Sequence, residues 1–338
     1  MVKNLDQFID ELLSEFSPKQ QKVLVGRFGL KTGKRATLQE IGDELGITRE
    51  RVRQIEELGI KKLREKVKEK AVDVIAEAEK CLLKTGGVRK DDLFLEDIYK
   101  SVGFVQTKHL DTKIRFILLI AGSPSYHKED DDFHAFWYDD KKNEKRFLDF
   151  VKNTTHLLET NDKEKVSKDP FYASQCNDLA TCHLLLIPKH FGVNVFGEFG
   201  LRASAEIEPK TIRDKAYLAL KKTGTPLHFE DIAKNISKLG IDKRSAHVQT
   251  VHNELIKDGR FVLVGRGIYA LNEHGYTPGT VREVITRLLK SKGPLHSTDV
   301  VQLVNEQRFL KENTILLNLQ NRKYFKRLDD GRYHTKEA

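Results

Sequence analysis

Apolar residues fall at helical spacing from the start of the chain. Leu5, Phe8, Ile9, Leu12, Leu13 and Phe16 line one stripe, which predicts an amphipathic helix over residues 5–16. Ser17-Pro18 opens a second helix, over 19–28, because Ser caps a helix well and Pro fits its first turn; Gly29 ends it. After the basic loop Lys31-Thr32-Gly33-Lys34-Arg35, Thr37 and Glu40 have the spacing at which each side chain satisfies the other's free amide. A helix therefore starts there, with Leu38, Ile41 and Leu45 on one face. Gly46-Ile47 breaks the chain, and Thr48 caps a further helix beginning at Arg49. Two helices joined by a tight Gly-containing turn make a helix-turn-helix.

The spacing within the second of these helices separates two kinds of residue. At about 100° per residue, Arg49, Glu50, Arg53, Gln54 and Glu57 share one arc, while Val52, Ile55, Leu58 and Leu63 are expected on the opposite side. Arg matches guanine O6 and N7, Gln matches adenine N6 and N7, and Glu accepts from cytosine N4, so the outward face carries side chains suited to base edges in a major groove. An ordinary surface helix laced by i,i+4 charge pairs reads equally well from periodicity alone.

The stretch Phe16 to Arg64 narrows the choice. Thr37-Leu38-Gln39-Glu40-Ile41-Gly42, followed by Ile47-Thr48-Arg49-Glu50-Arg51-Val52-Arg53-Gln54-Ile55-Glu56, resembles region four of the primary bacterial sigma factors, the domain that binds the promoter's minus-thirty-five element. The resemblance implies that Arg49, Glu50 and Gln54 contact base edges, that Arg53 lies beside them near the DNA backbone, and that the preceding apolar helices dock on the flap of the RNA polymerase beta subunit. Arg53 is grouped here with the base readers, and Lys34, Arg35, Thr48 and Arg51 are expected on the DNA backbone. Gly59 stands where the family has a helix former, at a cost of about 1 kcal/mol in helix propensity, so a bend is expected in the far half of the recognition helix. No stretch resembles the family's region two, whose aromatic-rich helices melt the minus-ten element.

Residues 60–80 continue as a highly charged helix. Residues 91–102 and 109–120 read as helices, and 125–138 as a hairpin whose turn holds Glu129-Asp130-Asp131-Asp132, together suggesting a degenerate winged helix with an acidic tip. Residues 141–187 read as helical with a polar bridge at 160–168, and 193–200 as an irregular connector. The C-terminal third repeats itself: Gly224-Thr225-Pro226-Leu227-His228 answers to Gly293-Pro294-Leu295-His296, Thr250 to Thr314, Phe261 to Phe325, and Gly267-Ile268-Tyr269 to Gly331-Arg332-Tyr333. Each copy reads as three helices and a hairpin, hence two winged helices in tandem. The first, through Pro226-Leu227-His228-Phe229, Val251-His252-Asn253-Glu254-Leu255 and 261–271, resembles the HARE-type winged helix, which implies a DNA-contacting or polymerase-associated module without catalysis of its own. His247, Gln249, His252 and Asn253 become groove candidates and Arg266 a wing candidate, with Val248, Val251 and Leu255 as the core face.

The expected fold is thus mainly α: a multi-domain helix-turn-helix protein with tandem winged helices carrying short β-hairpin wings. Its domains would be a helix-turn-helix domain over 1–80, a degenerate winged helix over 81–140, a helical connector over 141–208, a HARE-type winged helix over 209–276 and a second winged helix over 277–338. Net charge is +9, distributed as +4 over residues 1–70, −3 over 71–205 and +8 over 206–338, so the two ends suit a polyanion. The apolar runs 116–122 and 183–188 fall far short of the roughly 20 residues that span a bilayer, and the N-terminus lacks a signal-peptide pattern. Three cysteines make no disulfide framework, so Cys176 and Cys182 are expected as free thiols. Cys-x5-Cys-His lacks zinc spacing, the acidic run at 129–132 lacks the glycine turn of a calcium loop, and Lys31 to Arg35 fails the phosphate-loop pattern. No enzyme, metal, cofactor, membrane or small-molecule substrate is expected. The partners are promoter duplex and bacterial RNA polymerase core, in the cytoplasm at the nucleoid. The alternatives are a DNA-binding regulator unconnected with sigma factors and a modification-sensing accessory of a restriction system.

Overall fold

The structure, a computed structural model, describes residues 4–105, 107–160, 165–166, 168 and 182–336. It is mostly helical with small antiparallel sheets, and among the described residues no helix is long and apolar enough to cross a membrane. The chain forms two compact units. One runs to Gly192 and includes Phe199–Leu201; the other comprises Val193–Glu198 and the chain from Arg202 onward.

The first unit begins with α1 (Leu5–Leu13), α2 (Pro18–Phe28), α3 (Leu38–Leu45) and α4 (Arg49–Lys70). Their caps follow from the sequence. Asn4 caps α1, Ser17 and Gln20 form a capping box on α2, Thr37 and Glu40 form one on α3, and Gly29 and Gly46 close α2 and α3 in the left-handed conformation at φ 67° and 62°. The charged helix expected over 60–80 is interrupted at Ala71 (φ −110°, ψ 26°), and α5 (Val72–Lys84) starts afresh. Then follow β1 (Val88–Lys90), α6 (Asp91–Val102), α7 (Leu110–Ala121), β2 (Ser125–His127), β3 (Phe136–Tyr138) and α8 (Lys141–Glu159). The sheet order is β1-β3-β2, antiparallel throughout. Residues 193–200 are more regular than expected, since β4 (Phe191–Val193) and β5 (Phe199–Leu201) pair with each other.

The boundary expected at residue 80 falls inside a continuous core. Leu5, Phe8 and Leu12 of α1, Leu24 of α2, Leu63 and Val67 of α4, Val74 and Ala78 of α5, Phe94 and Ile98 of α6, Ile114 to Ile120 of α7 and Trp137 all contribute to it. The physical reason is the apolar run of α7, which is too short for a membrane but hydrophobic all round, and so must be enclosed by protein on every side. A second cluster joins Phe136 and Tyr138 to Phe147, Phe150 and Val151 of α8 and to Leu184, Leu185 and Ile187, so α8 and residues 184–187 are packed core rather than connector.

The second unit contains α9 (Ile212–Thr223), β6 (Leu227–His228), α10 (Phe229–Lys238), α11 (Val248–Lys257), β7 (Phe261–Gly265) and β8 (Ile268–Leu271), with sheet order β6-β8-β7. It continues with α12 (Val281–Lys292), α13 (Ser297–Asn305), α14 (Glu312–Leu319), β9 (Phe325–Arg327) and β10 (Tyr333–Thr335), where Leu295 bridges Tyr333 on the far side of β10. Helix, strand, helix, helix, strand, strand, with the third strand central, is also the order of α5 to β3 in the first unit. Each copy in the second unit has its own core, and the linker between them is held by the buried Arg308, whose guanidinium donates to the carbonyls of Thr277 and Gly279 at 2.6 and 3.2 Å.

Candidate nucleic-acid interface

The turn between α3 and α4 is shaped by two glycines with different tasks. Gly46 supplies a left-handed residue, whereas Gly42 makes room, since a Cβ there would lie 2.7 Å from the Ile47 carbonyl oxygen. The Ile47 amide donates to the Gly42 carbonyl at 3.0 Å, and the Arg51 amide donates to Thr48 Oγ1 at 3.2 Å, fixing the first turn of α4. Beneath it Val23, Ile41, Val52 and Ile55 form a separate small core with Leu38, Leu45 and Ile47 at its rim. Arg27 clamps the assembly from α2: Nε donates to Glu56 Oε2 at 2.8 Å and Nη1 to the Ala36 carbonyl at 2.7 Å. Sequence patterning could not find this pair, because the two residues are 29 positions apart and local periodicity does not link them.

Arg49, Glu50, Arg51, Arg53 and Gln54 are all exposed on the N-terminal half of α4, opposite the buried Val52 and Ile55. Leu58, expected on the inner side, is 61% exposed, because the helix at that point turns Gly59 rather than Leu58 toward α2. A Cβ on Gly59 would meet the buried Leu24 at 3.0 Å, so the glycine permits close helix packing, and α4 continues through it to Lys70.

The exposed side chains are organised among themselves. Arg53 makes a two-pronged contact with Glu50, at 3.0 Å from Nε and 2.7 Å from Nη2, and also pairs with Glu57. Arg51 Nη1 donates to Gln54 Oε1 at 3.0 Å. The Arg53 guanidinium holds the Glu50 carboxyl below its ordinary range, and the carboxylates raise Arg53 in turn. Lys34 and Thr48 are also exposed. Arg35 is exposed as a residue, but burial around its guanidinium lowers its pKa, partly offset by Tyr126, with Arg115 and Asp91 also close by. The basic loop is seated on the α7 side of the unit: Gly33, at φ 74°, packs against the His109 ring, where a Cβ would come within 2.5 Å of Nδ1.

In the second unit His247, Gln249 and Asn253 are exposed on and before α11, with Gln249 Nε2 donating to Asn253 Oδ1 at 3.1 Å. His252 is only half exposed. Its ring stacks on Phe229 at 4.4 Å and 26° and meets Tyr269 edge-on at 6.0 Å, so packing holds it. Val248, expected in the core, is 37% exposed, while Val251 and Leu255 are buried as expected. Arg266 is exposed at the tip of the β7–β8 hairpin. His228 caps α10 through Nδ1, which accepts from the Glu230 amide at 3.4 Å. The acidic tip at 129–132 is held by Lys189, at 2.8 Å from Glu129 Oε1. Cys182 is disulfide-bonded, which corrects the expectation of a free thiol, while Cys176 lies outside the described residues.

Comparison with known proteins matches one part of the chain. Residues 12–65 fit the family model described as Sigma-70, region 4. The RNA polymerase sigma factor SigA of Clostridium acetobutylicum is 48% identical over 54 residues, 16% of this chain and 14% of that protein. The RNA polymerase sigma factor sigB of Arabidopsis thaliana is 43% identical over 60 residues, 18% of this chain and 10% of that protein. SigA of Lactococcus lactis subsp. cremoris is likewise 43% identical over 60 residues, 18% of this chain and 16% of that protein. The chain therefore spans about a sixth or less of the length of these relatives, and the matched part covers α2, α3 and most of α4.

Proposed function

We propose that this chain is a sequence-specific, non-catalytic DNA-binding transcription protein whose helix α4 reads promoter duplex in the major groove. The observation that carries the reading is the outward presentation of Arg49, Glu50, Arg53 and Gln54 on the end of a helix whose opposite face is locked by Val52, Ile55 and the Arg27–Glu56 pair. A rigid rod with one packed face and one polar face is the element that enters a major groove, and base contact would exchange the intrahelical bonds of Glu50, Arg53 and Gln54 for bonds to base edges. Lys34, Arg35, Thr48 and Arg51 are placed by this reading on the backbone. In the second unit the two α-β-α-α-β-β copies are read as winged helices in tandem, the first of HARE type, with Gln249, Asn253 and Arg266 as the freer of its contacts.

Association with bacterial RNA polymerase, in initiation or its regulation, is part of the proposal, as is a place at the nucleoid. One observation favours a second reading, a regulator that never meets polymerase. The apolar side chains of α1 and α2 expected to dock on the beta flap, including Leu5, Phe8, Leu12, Leu24 and Phe28, are buried in this chain's own core beside α7. A polymerase contact through that face would require α7 to be displaced. Selection of bound sequences from a random duplex pool, with and without core polymerase, tests both readings. Enrichment of one motif supports base reading, enrichment only with the enzyme supports the polymerase partner, and recovery of no motif in either arm refutes the proposal.

A further inference from the structure

Three hairpins close the same order of helices and strands, and they differ in what occupies them. The β2–β3 hairpin has an acidic tip engaged by Lys189, which also donates to the Asp130 carbonyl at 2.6 Å. The β7–β8 hairpin carries the single cation Arg266 in its loop, and the edge of β7 is taken by the Phe309 amide, which donates to the Val264 carbonyl at 2.7 Å. The β9–β10 hairpin is different. Lys326 and Arg327 are exposed on β9, and Arg322 and Lys323 are exposed in the turn that leads into it.

Among the described residues none of these four cations forms an ion pair, a condition shared with Lys243, Arg244, Arg266, Lys290 and Lys292 but not with Arg213, Lys215, Lys221, Arg260 and Arg332 of the same unit. Part of the run converges on one ring. Tyr324 lies between Arg282, 4.3 Å from its ring centre, and Lys323 at 5.5 Å, which brings a charge from α12 to the turn. Of the two acids in the hairpin loop, Asp330 is neutralised by Arg332 at 2.5 Å and Asp329 is exposed. The neighbouring helix α14 contains no Lys or Arg, and its outward residues are Glu312, Asn313, Thr314 and a 70% exposed Leu317. Exposed cations without carboxylate partners, next to a helix that carries no cation of its own, suit a regular array of phosphates.

We infer that Arg322, Lys323, Lys326 and Arg327, with Arg282, form a surface for the phosphates of double-stranded nucleic acid that supplies affinity independent of base sequence. The inference rests on the DNA-binding reading above but not on α4. The test is the full chain against R322Q/K323Q/K326Q/R327Q, titrated by fluorescence anisotropy with a random-sequence duplex from 50 to 200 mM salt. Each phosphate that the variant no longer neutralises lowers the slope of log K against log salt by roughly 0.9, so a fall of about 2 to 4 is expected on random and selected duplexes alike, with the preference between them unchanged. An unchanged slope on a duplex that the wild type binds overturns the inference. So does a shift confined to polyglutamate, offered in parallel, which would point to an acidic protein partner instead. If the wild type shows no sequence preference while the variant still loses slope, the reading of α4 fails and this one stands; a wild type that binds no duplex overturns both.

Discussion

Arg49 and Gln54 differ from Lys34 and Arg35 in what their loss changes. Replacing Arg49 or Gln54 by Ala is expected to cost about 1 to 3 kcal/mol on the preferred duplex and to relax one base position, because the paired hydrogen bonds to one base edge can no longer form. Equal losses on random duplex, measured by competition binding, would contradict base reading. Replacing Lys34 and Arg35 by Ala should instead flatten the salt dependence on every sequence, with the larger share from Lys34, since Arg35 sits close to Asp91, Arg115 and Tyr126. His183 adds a pH response unrelated to binding. Burial, reinforced by Arg89, pushes its pKa down to about 4, and among the described residues its Nδ1 has no hydrogen-bond partner. The unfolded chain takes up a proton near pH 6.5 and the folded chain only near 4, so this group's stabilisation is present above about 6.5 and is lost as pH falls toward 4. Thermal unfolding midpoints between pH 7 and 5 should fall more steeply for the wild type than for His183→Leu, and parallel curves would refute the assignment.

At the scale of elements, the helix-turn-helix depends on a close approach that one methyl group would prevent. Gly42→Ala places a carbon 2.7 Å from the Ile47 carbonyl oxygen, a backbone atom that can move only with the turn. A loss of about 1 to 3 kcal/mol, typical of overpacking, is expected together with loss of sequence preference, because α4 is displaced relative to α3. Denaturant unfolding and competition binding check the two halves; a stable variant with intact preference would show that the turn adapts. The existence of α1 to α4 and the ends of α2 and α3 were legible from the caps Ser17, Thr37 and Thr48 and the stops Gly29 and Gly46, because capping is decided by neighbours within one turn. The break at Ala71 was not legible. No Gly or Pro marks it, and beyond it Val74, Ala78 and Leu82 of α5 face the shared core.

At the scale of the molecule, α1, α2 and the far half of α4 share one core with α5, α6, α7 and Trp137. Leu63 on the recognition helix and Trp137 on the third strand of the sheet share a core, and Trp137 Nε1 donates to Asp91 Oδ1 at 2.8 Å. Trp137 is the chain's single tryptophan, so its fluorescence reports this unit alone. Leu63→Ala should lower the tryptophan-detected unfolding free energy by about 2 to 5 kcal/mol although the two residues are distant in sequence. If only the far-ultraviolet signal shifted and tryptophan fluorescence did not, residues 1–70 would be folding independently of the rest. Likewise, truncation after residue 80 is expected to yield an aggregating fragment, since it uncovers Leu5, Phe8, Leu12 and Val67 together.

Local chemistry alone specified where α2 and α3 stop and where α3 and α4 begin, which side of α4 is polar, and the twofold recurrence of the C-terminal pattern, because caps, glycine stops and 3.6-residue periodicity act between near neighbours. Tertiary structure decided what each face meets. It turned Leu58 outward and Gly59 inward, held His252 against Phe229, paired Arg27 with Glu56, and enclosed α7 against the apolar helices expected to receive a partner. Those outcomes depend on contacts between residues far apart in the chain, and an apolar stripe carries no mark of whether its cover comes from the same chain or from another.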